Sequence, residues 1–143
     1  MNKHLKISNS VTITCTPKRL WQVLTEPELI KIYLYGTETL TDWKIGSDIV
    51  FQGEYEGHKY RDHGKILDII LHEKIQYSYW SGFSGLADKP ENYHTITYRI
   101  KSNGENCEFT WEQEGFADES RRDHTQKNMP EFLSSIKKLA EIV

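Results

Sequence analysis

The sequence predicts an α+β fold, in which helices lie against one face of an antiparallel sheet. Alternating apolar and polar residues recur along the middle of the chain, and short turns join these segments as hairpins. Segments with helical periodicity occur near both ends, which favours helices grouped on the sheet. We expect residues 1–143 to form a single domain, because this length supports one core. The 4 Trp, 8 Tyr and 5 Phe residues exclude a disordered chain.

The first strand and two short helices are predicted from the N-terminal third. Apolar residues alternate with polar ones between Leu5 and Cys15, which indicates a strand or two joined strands. Thr16-Pro17 is a helix-start signal, a capping hydroxyl followed by proline at the first helical position. Thr25 is expected to cap a second helix, with Glu28 completing a capping box, and this helix ends near Gly36.

Six further strands are predicted, connected by hairpins. They are Thr37–Trp43, Ile49–Tyr55, Lys59–His72, Ile75–Trp80, Tyr93–Lys101 and Cys107–Gly115. Gly64, inside the third of these, predicts a β-bulge. Residues 81–92 are the longest turn-like stretch, and Asn103-Gly104 is a good hairpin turn.

The last segment is predicted to be a long helix from about Asp118 to Ile142. Pro130 cannot donate a hydrogen bond to the carbonyl of Gln126, so we expect a kink there or two nearly collinear pieces. The apolar stripe that should face the sheet is Met129, Phe132, Leu133, Ile136, Ala140 and Val143.

Composition excludes several classes of function. A net charge of −3 without a basic stripe argues against nucleic acid as a partner. The first residues lack the apolar stretch of a signal peptide, and no apolar run is long enough to insert in a membrane, which predicts a cytoplasmic protein. Cys15 and Cys107 do not form a disulfide framework, and the six histidines lack metal-ligand spacings. We therefore expect no metal and no cofactor.

Candidate ligand-binding residues follow from which strand positions share the inward face. Those on the strands are Phe51, Tyr55, Tyr77, Tyr79, His94, Ile96, Tyr98, Phe109, Trp111 and Gln113. On the last helix, Arg122 and Thr125 share a face with Met129, so the inward stripe becomes polar toward the helix start. Two interpretations remain open, a packed core alone or a core with a ligand cavity. In the second, Arg122 either meets an acidic or phenolic group of the ligand or, if this end of the helix projects into water, is a surface residue.

The order of these elements and several segments resemble one known family. The matching segments are PKRLWQVLTEPEL (17–29), DWKIGS (42–47), DHGKILDI (62–69), YSYWS (77–81), ENYHTITY (91–98) and FLSSIKKL (132–139). Together they resemble the START/Bet v 1-like (SRPBCC) superfamily, in the branch of the activator of Hsp90 ATPase (AHSA1-like). The resemblance implies a helix-grip fold, a curved seven-stranded antiparallel sheet around the C-terminal helix with an internal cavity.

The resemblance leads to three hypotheses about function. The leading one is a binding domain for a small apolar or aromatic ligand, lipid- or polyketide-like, with a stress-related role as one expectation. The second is an enzyme of the cyclase or hydratase type that uses His94 or His63 as its acid/base and a tyrosine as donor. The third is a module that interacts with an Hsp90-type chaperone. The chain carries no diagnostic catalytic motif, which favours binding over catalysis.

Overall fold

Seven strands and three helices make up the computed structural model over residues 5–142, the part of the chain that the structure describes. The strands are β1 (Lys6–Ile13), β2 (Glu38–Leu40), β3 (Asp48–Tyr55), β4 (His58–Ile70), β5 (Lys74–Tyr79), β6 (His94–Asn103) and β7 (Asn106–Glu114). The helices are α1 (Pro17–Thr25), α2 (Pro27–Tyr33) and α3 (Glu119–Ala140). Short 3-10 turns at Gly82–Ser84 and Pro90–Asn92 interrupt the β5–β6 connection. Residues 1–4 and Val143, the last position of the predicted apolar stripe, lie outside the described residues.

The strands form one antiparallel sheet in the order β1-β7-β6-β5-β4-β3-β2. Helix α3 packs on one face of this sheet, which we call the inner face. On β7 the alternation is followed as predicted: Cys107, Phe109, Trp111 and Gln113 are buried and Glu108 is exposed. The predicted α+β, helix-grip-like architecture, with two short helices after the first strand, is confirmed.

Two of the predicted helix starts are confirmed and one prediction is wrong. The side chain of Thr16 accepts a hydrogen bond from the backbone N–H of Arg19 at the start of α1, and Asp118 caps α3 in the same way. Thr25 does not cap α2. Its hydroxyl donates to the carbonyl of Trp21 within α1, and Glu26 occupies the capping position without a side-chain bond.

The bulge predicted at Gly64 lies elsewhere. The β4–β5 register shifts between Ile66 and Asp68, whereas Gly64 keeps its place in the β3–β4 pairing. Glycine is needed at position 64 for another reason. A Cβ there would lie 1.7 Å from the carbonyl oxygen of Ser78, so only a residue without a side chain lets β5 approach.

Helix α3 is assigned as one helix of 22 residues with Pro130 inside it, not as two pieces. Its C-terminal end is tied to α1, because the guanidinium of Arg19 donates to the carbonyls of Leu139, Ala140 and Ile142. Leu139 and Ala140 lie in the last turn of α3, where the backbone carbonyls have few partners within the helix, so the guanidinium supplies them with donors. The contact joins the C-terminal end of α3 to α1.

The two cysteines are neighbours in the fold. The thiol of Cys107 donates to the backbone carbonyl of Cys15 at 3.1 Å, and both residues are free thiols. Burial, and then the proximity of Cys107, raises the pKa of the Cys15 thiol to about 11. Burial also raises the pKa of the Cys107 thiol, so both side chains stay protonated at neutral pH.

Candidate functional site: an aromatic-lined cavity under the long helix

A cavity of about 370 Å³ lies between the inner face of the sheet and the first half of α3. Strands β3 to β7 supply its wall on one side, and Thr125, Met129 and Phe132 supply the helix side. The exposed side chains of His124 and Asn128 border it where α3 faces solvent. This volume is in the range of small-molecule binding sites.

Six aromatic side chains of the cavity wall contact one another in series. Neighbouring ring centroids are 4.8 to 5.9 Å apart, at tilted or edge-to-face angles. In spatial order they are Tyr79, Phe51, Tyr77, Tyr98, Trp111 and Phe132. The wall is therefore mostly flat, apolar ring surface, which favours apolar and aromatic ligands.

Tyr77 and Tyr98 form a buried polar point within this wall. Their hydroxyl oxygens are 2.6 Å apart, a hydrogen bond between neighbouring strands. Burial raises the pKa of both phenols well above the ordinary value near 10.0. Both hydroxyls therefore remain protonated at any physiological pH.

Asp62 is the buried carboxylate of the cavity wall. It lies on β4 with its side chain on the inner face, and only 6% of the residue is exposed. The hydroxyl of Tyr79 donates to its Oδ2 at 2.7 Å, whereas its Oδ1 has no hydrogen-bond partner among the described residues. Burial, reinforced by this carboxylate, raises the pKa of Tyr79, so the phenol keeps the hydrogen that it donates.

Tyr60 closes the wall at its outer edge because a glycine lies beneath it. Gly53 is the register partner of Tyr60, and a Cβ on Gly53 would lie 2.6 Å from the Tyr60 hydroxyl. Without that atom the ring lies across β3, and the hydroxyls of Tyr60 and Thr37 form a hydrogen bond at 2.5 Å. Tyr60 and Thr37 thus fix the border of the cavity near β2.

Gln113 separates His94 from the cavity. Its Oε1 accepts from the indole N–H of Trp111 at 3.3 Å, and its Nε2 is 2.8 Å from Nδ1 of His94. His94 packs on its other side against Phe116, with ring centroids 4.7 Å apart. Burial lowers the pKa of His94, so the neutral ring accepts the hydrogen bond from Gln113.

The structure places most of the candidate ligand-binding residues on the cavity. Those that border it are Phe51, Tyr77, Tyr79, Ile96, Tyr98, Trp111, Gln113, Thr125 and Met129. The polar end of the predicted helix stripe therefore does reach the site, but through Thr125.

Four candidates lie elsewhere. His94 is held behind Gln113, and Phe109 is fully buried in the core beside Tyr98. Tyr55 is 61% exposed at the C-terminal end of β3 and does not border the cavity. Arg122 is half-buried and pairs with Asp123 at 3.0 Å, so it does not supply a cation to the cavity.

His63, the second histidine considered for acid/base chemistry, lies on the opposite face of the sheet. Its Nε2 is 3.0 Å from a carboxylate oxygen of Asp88, and its ring packs against Trp80. The hydroxyl of Tyr93 donates to the other oxygen of Asp88. These contacts hold Asp88 and Tyr93 of the β5–β6 connection against His63, which does not border the cavity.

Several residues that border the cavity were not predicted. They are Leu34, Thr37, Tyr60, Asp62, His124, Asn128 and Phe132. Phe132 was assigned only to the apolar stripe of the helix. Asp62 and Tyr60 lie two residues apart on a predicted strand, and this spacing was the signal that would have placed them on one face.

The described residues hold no cluster of three or more His, Cys, Asp or Glu side chains arranged to bind a metal ion. Among residues 5–142, none of the helices is both long and apolar enough to cross a membrane.

Comparisons with known proteins agree with this architecture. The family model described as Activator of Hsp90 ATPase homolog 1-like protein matches residues 14–141. The solution structure of a protein from Cytophaga hutchinsonii is 34% identical, with 99% of this chain and 97% of that chain covered and a TM-score of 0.85. No curated protein matches the chain.

Two more distant structures share the fold at lower identity. The Aha1 dimer from Colwellia psychrerythraea is 16% identical over 96% of this chain and 96% of that chain, with a TM-score of 0.75. CalU16 from Micromonospora echinospora is 15% identical over 96% of this chain and 76% of that chain, with a TM-score of 0.73. At these identities the similarity shows the fold alone.

Proposed function

The chain belongs to the family of Activator of Hsp90 ATPase homolog 1-like proteins, and from this premise we propose that it is a binding domain for a small apolar or aromatic molecule. Residues 1–143 act as one domain in this proposal. The ligand occupies the cavity between α3 and the inner face of the sheet.

The single observation that carries this proposal is the cavity itself, with its wall of six contacting aromatic side chains. A core that needed only to be packed would fill such a space, because voids in a core cost stability. A ligand that buries about 200 Å² of apolar surface there gains roughly 5 kcal/mol from the hydrophobic effect. Part of this gain offsets the loss of ligand freedom on binding. The polar groups of the wall set the orientation of the ligand.

Native mass spectrometry of freshly purified protein tests the proposal directly. We expect a discrete extra mass that disappears on denaturation, or adducts when panels of fatty acids, flavonoid-like aromatics and polyketides are added. A titration with the neutral fluorescent probe N-phenyl-1-naphthylamine measures affinity. Absence of any adduct and of any probe binding would overturn the proposal.

A pair of variants on α3 locates the binding. Thr125→Phe puts a ring into the cavity, so we expect probe affinity to fall at least tenfold. Ser120→Phe adds the same ring to an exposed position on the same helix and should leave affinity unchanged. Equal affinities for the two variants would mean that the probe binds elsewhere.

The other hypotheses gain no support from the site. Neither His94 nor His63, the two histidines of the cyclase or hydratase hypothesis, borders the cavity, and the histidine that does border it, His124, is exposed on the solvent side of α3. An Hsp90-type partner and a cytoplasmic location stay predictions.

A further inference from the structure

We propose that Asp62 binds a hydrogen-bond donor of the ligand, and that the ligand it selects is an apolar or aromatic molecule with a protonated amine. The inference rests on the cavity-binding function proposed above and adds the chemical class of the ligand.

Asp62 has one satisfied and one unsatisfied oxygen. Oδ2 accepts from Tyr79, and Oδ1 is buried without a partner among the described residues. A buried acceptor without a donor costs free energy, and the cost is larger for a carboxylate than for a neutral group. A ligand that donates to this carboxylate recovers that cost on binding.

The charge of Asp62 is not balanced by the protein. Within residues 5–142 the carboxylate takes part in no ion pair, and no Lys or Arg borders the cavity. Its strand neighbour Arg61 is exposed on the opposite face, and Arg122 is paired with Asp123. A cationic ligand supplies the missing charge, whereas a carboxylate ligand meets repulsion.

The rings beside Asp62 also favour a cation. Phe51 is the register partner of Asp62 on β3, and its ring centroid is 5.9 Å from that of Tyr79, which is bonded to the carboxylate. An ammonium group at Asp62 therefore lies among aromatic rings, whose faces attract cations. The remaining wall, through Tyr77 and Trp111, accepts the apolar body of the ligand.

The test compares three ligands with the same naphthalene body, by isothermal titration calorimetry at neutral pH. They are 1-naphthylmethylamine, 1-naphthalenemethanol and 1-naphthoic acid. We expect the amine to bind at least tenfold more tightly than the alcohol, because the ammonium group adds the attraction of opposite charges to its hydrogen bond with the carboxylate, whereas the alcohol brings the hydrogen bond alone. The acid should bind at least tenfold more weakly than the alcohol.

Asp62→Asn tests the residue with little change of shape. The amide oxygen still accepts from Tyr79, whereas the amide nitrogen now donates. We expect the amine affinity to fall at least tenfold, the alcohol affinity to change less than threefold and the acid affinity to rise. Asp68→Asn is the control, since Asp68 lies on the same strand, pairs with Lys74 and does not border the cavity.

The outcomes separate the two proposals. If the alcohol or the acid binds as tightly as the amine, or if Asp62→Asn leaves the affinity for the amine unchanged, the inference fails and the cavity function stands. If no probe of either experiment binds, the function itself fails. The order of affinities on the unsubstituted protein decides the inference even if Asp62→Asn does not fold.

Discussion

Removal of one hydroxyl from the Tyr77–Tyr98 pair should cost much more stability than removal of both. Their oxygens are 2.6 Å apart and buried within the wall of the cavity. In Tyr77→Phe the hydroxyl of Tyr98 loses its partner and remains desolvated. Tyr98→Phe leaves the hydroxyl of Tyr77 without its partner in the same way. In the double variant neither hydroxyl is present, so no polar group is left without a bond.

The magnitudes follow from these contacts. A buried hydroxyl without a hydrogen-bond partner lowers the free energy of unfolding by about 1–3 kcal/mol, whereas replacement of both partners by apolar groups is nearly neutral. Each single substitution should therefore lower the free energy of unfolding by about 1–3 kcal/mol. The double variant should lose less than either one, so the coupling energy should be larger than the cost of one single substitution, that is, more than about 1–3 kcal/mol.

Urea denaturation of the four proteins measures the cycle, with the slope against denaturant used to check that the transition stays comparable. The control is the Ser10–Thr110 pair, whose hydroxyl oxygens are 2.7 Å apart on the exposed face of β1 and β7. Water replaces a lost bond there, so Ser10→Ala and Thr110→Val should show almost no coupling. Additive costs at Tyr77 and Tyr98 would refute the reasoning that this pair is sealed from water.

Two further substitutions test a close strand contact and a buried histidine. Gly64→Ala places a carbon 1.7 Å from the carbonyl oxygen of Ser78, so we expect a loss of about 3 kcal/mol or more in the free energy of unfolding. Gly82→Ala meets only the Trp80 ring at 3.8 Å, and equal urea midpoints for the two variants would contradict the clash. Burial lowers the pKa of His94 below its ordinary 6.5, so the unfolded chain takes up a proton that the folded protein resists. Neutral His94 makes its full contribution to the free energy of unfolding above pH 6.5. The contribution falls as the pH drops from 6.5 toward the lowered pKa, by at most about 1.4 kcal/mol per pH unit. In His94→Gln this part of the decline should vanish, and identical pH profiles of the urea midpoint would refute it.

Alternation along the strands predicts which face a side chain takes, because side chains change face at every residue. It therefore predicts the burial of Phe109 and Gln113 on β7 from sequence alone. It does not predict how deeply a side chain is buried or whether it borders the cavity. Phe109 packs against Tyr98 in the core, and Gln113 stands between His94 and the cavity, through contacts between residues far apart in the chain.

Asp62 was missed for a different reason. Residues 58–64 read HKYRDHG, a polar segment without the apolar alternation that marks a half-buried strand. Only the tertiary structure shows that Tyr60 and Asp62 turn inward beneath the rings of neighbouring strands. The periodicity of α3 likewise predicts that Arg122 shares a helix face with Met129. It does not predict whether that part of the helix borders the cavity, and Arg122 does not.

The hydroxyls of Tyr77 and Tyr98 carry two hydrogen atoms but share one hydrogen bond. One hydrogen lies between the two oxygens, and the other has no acceptor among residues 5–142. Either oxygen can be the donor, so the spare hydrogen belongs to Tyr77 or to Tyr98 according to the direction of the bond. This part of the wall can donate to a guest without first breaking a bond of the protein, whereas Asp62, while ionised, only accepts. A ligand that bears one donor and one acceptor can therefore bond at two places in a mostly apolar wall, its donor at Asp62 and its acceptor at the Tyr77–Tyr98 pair.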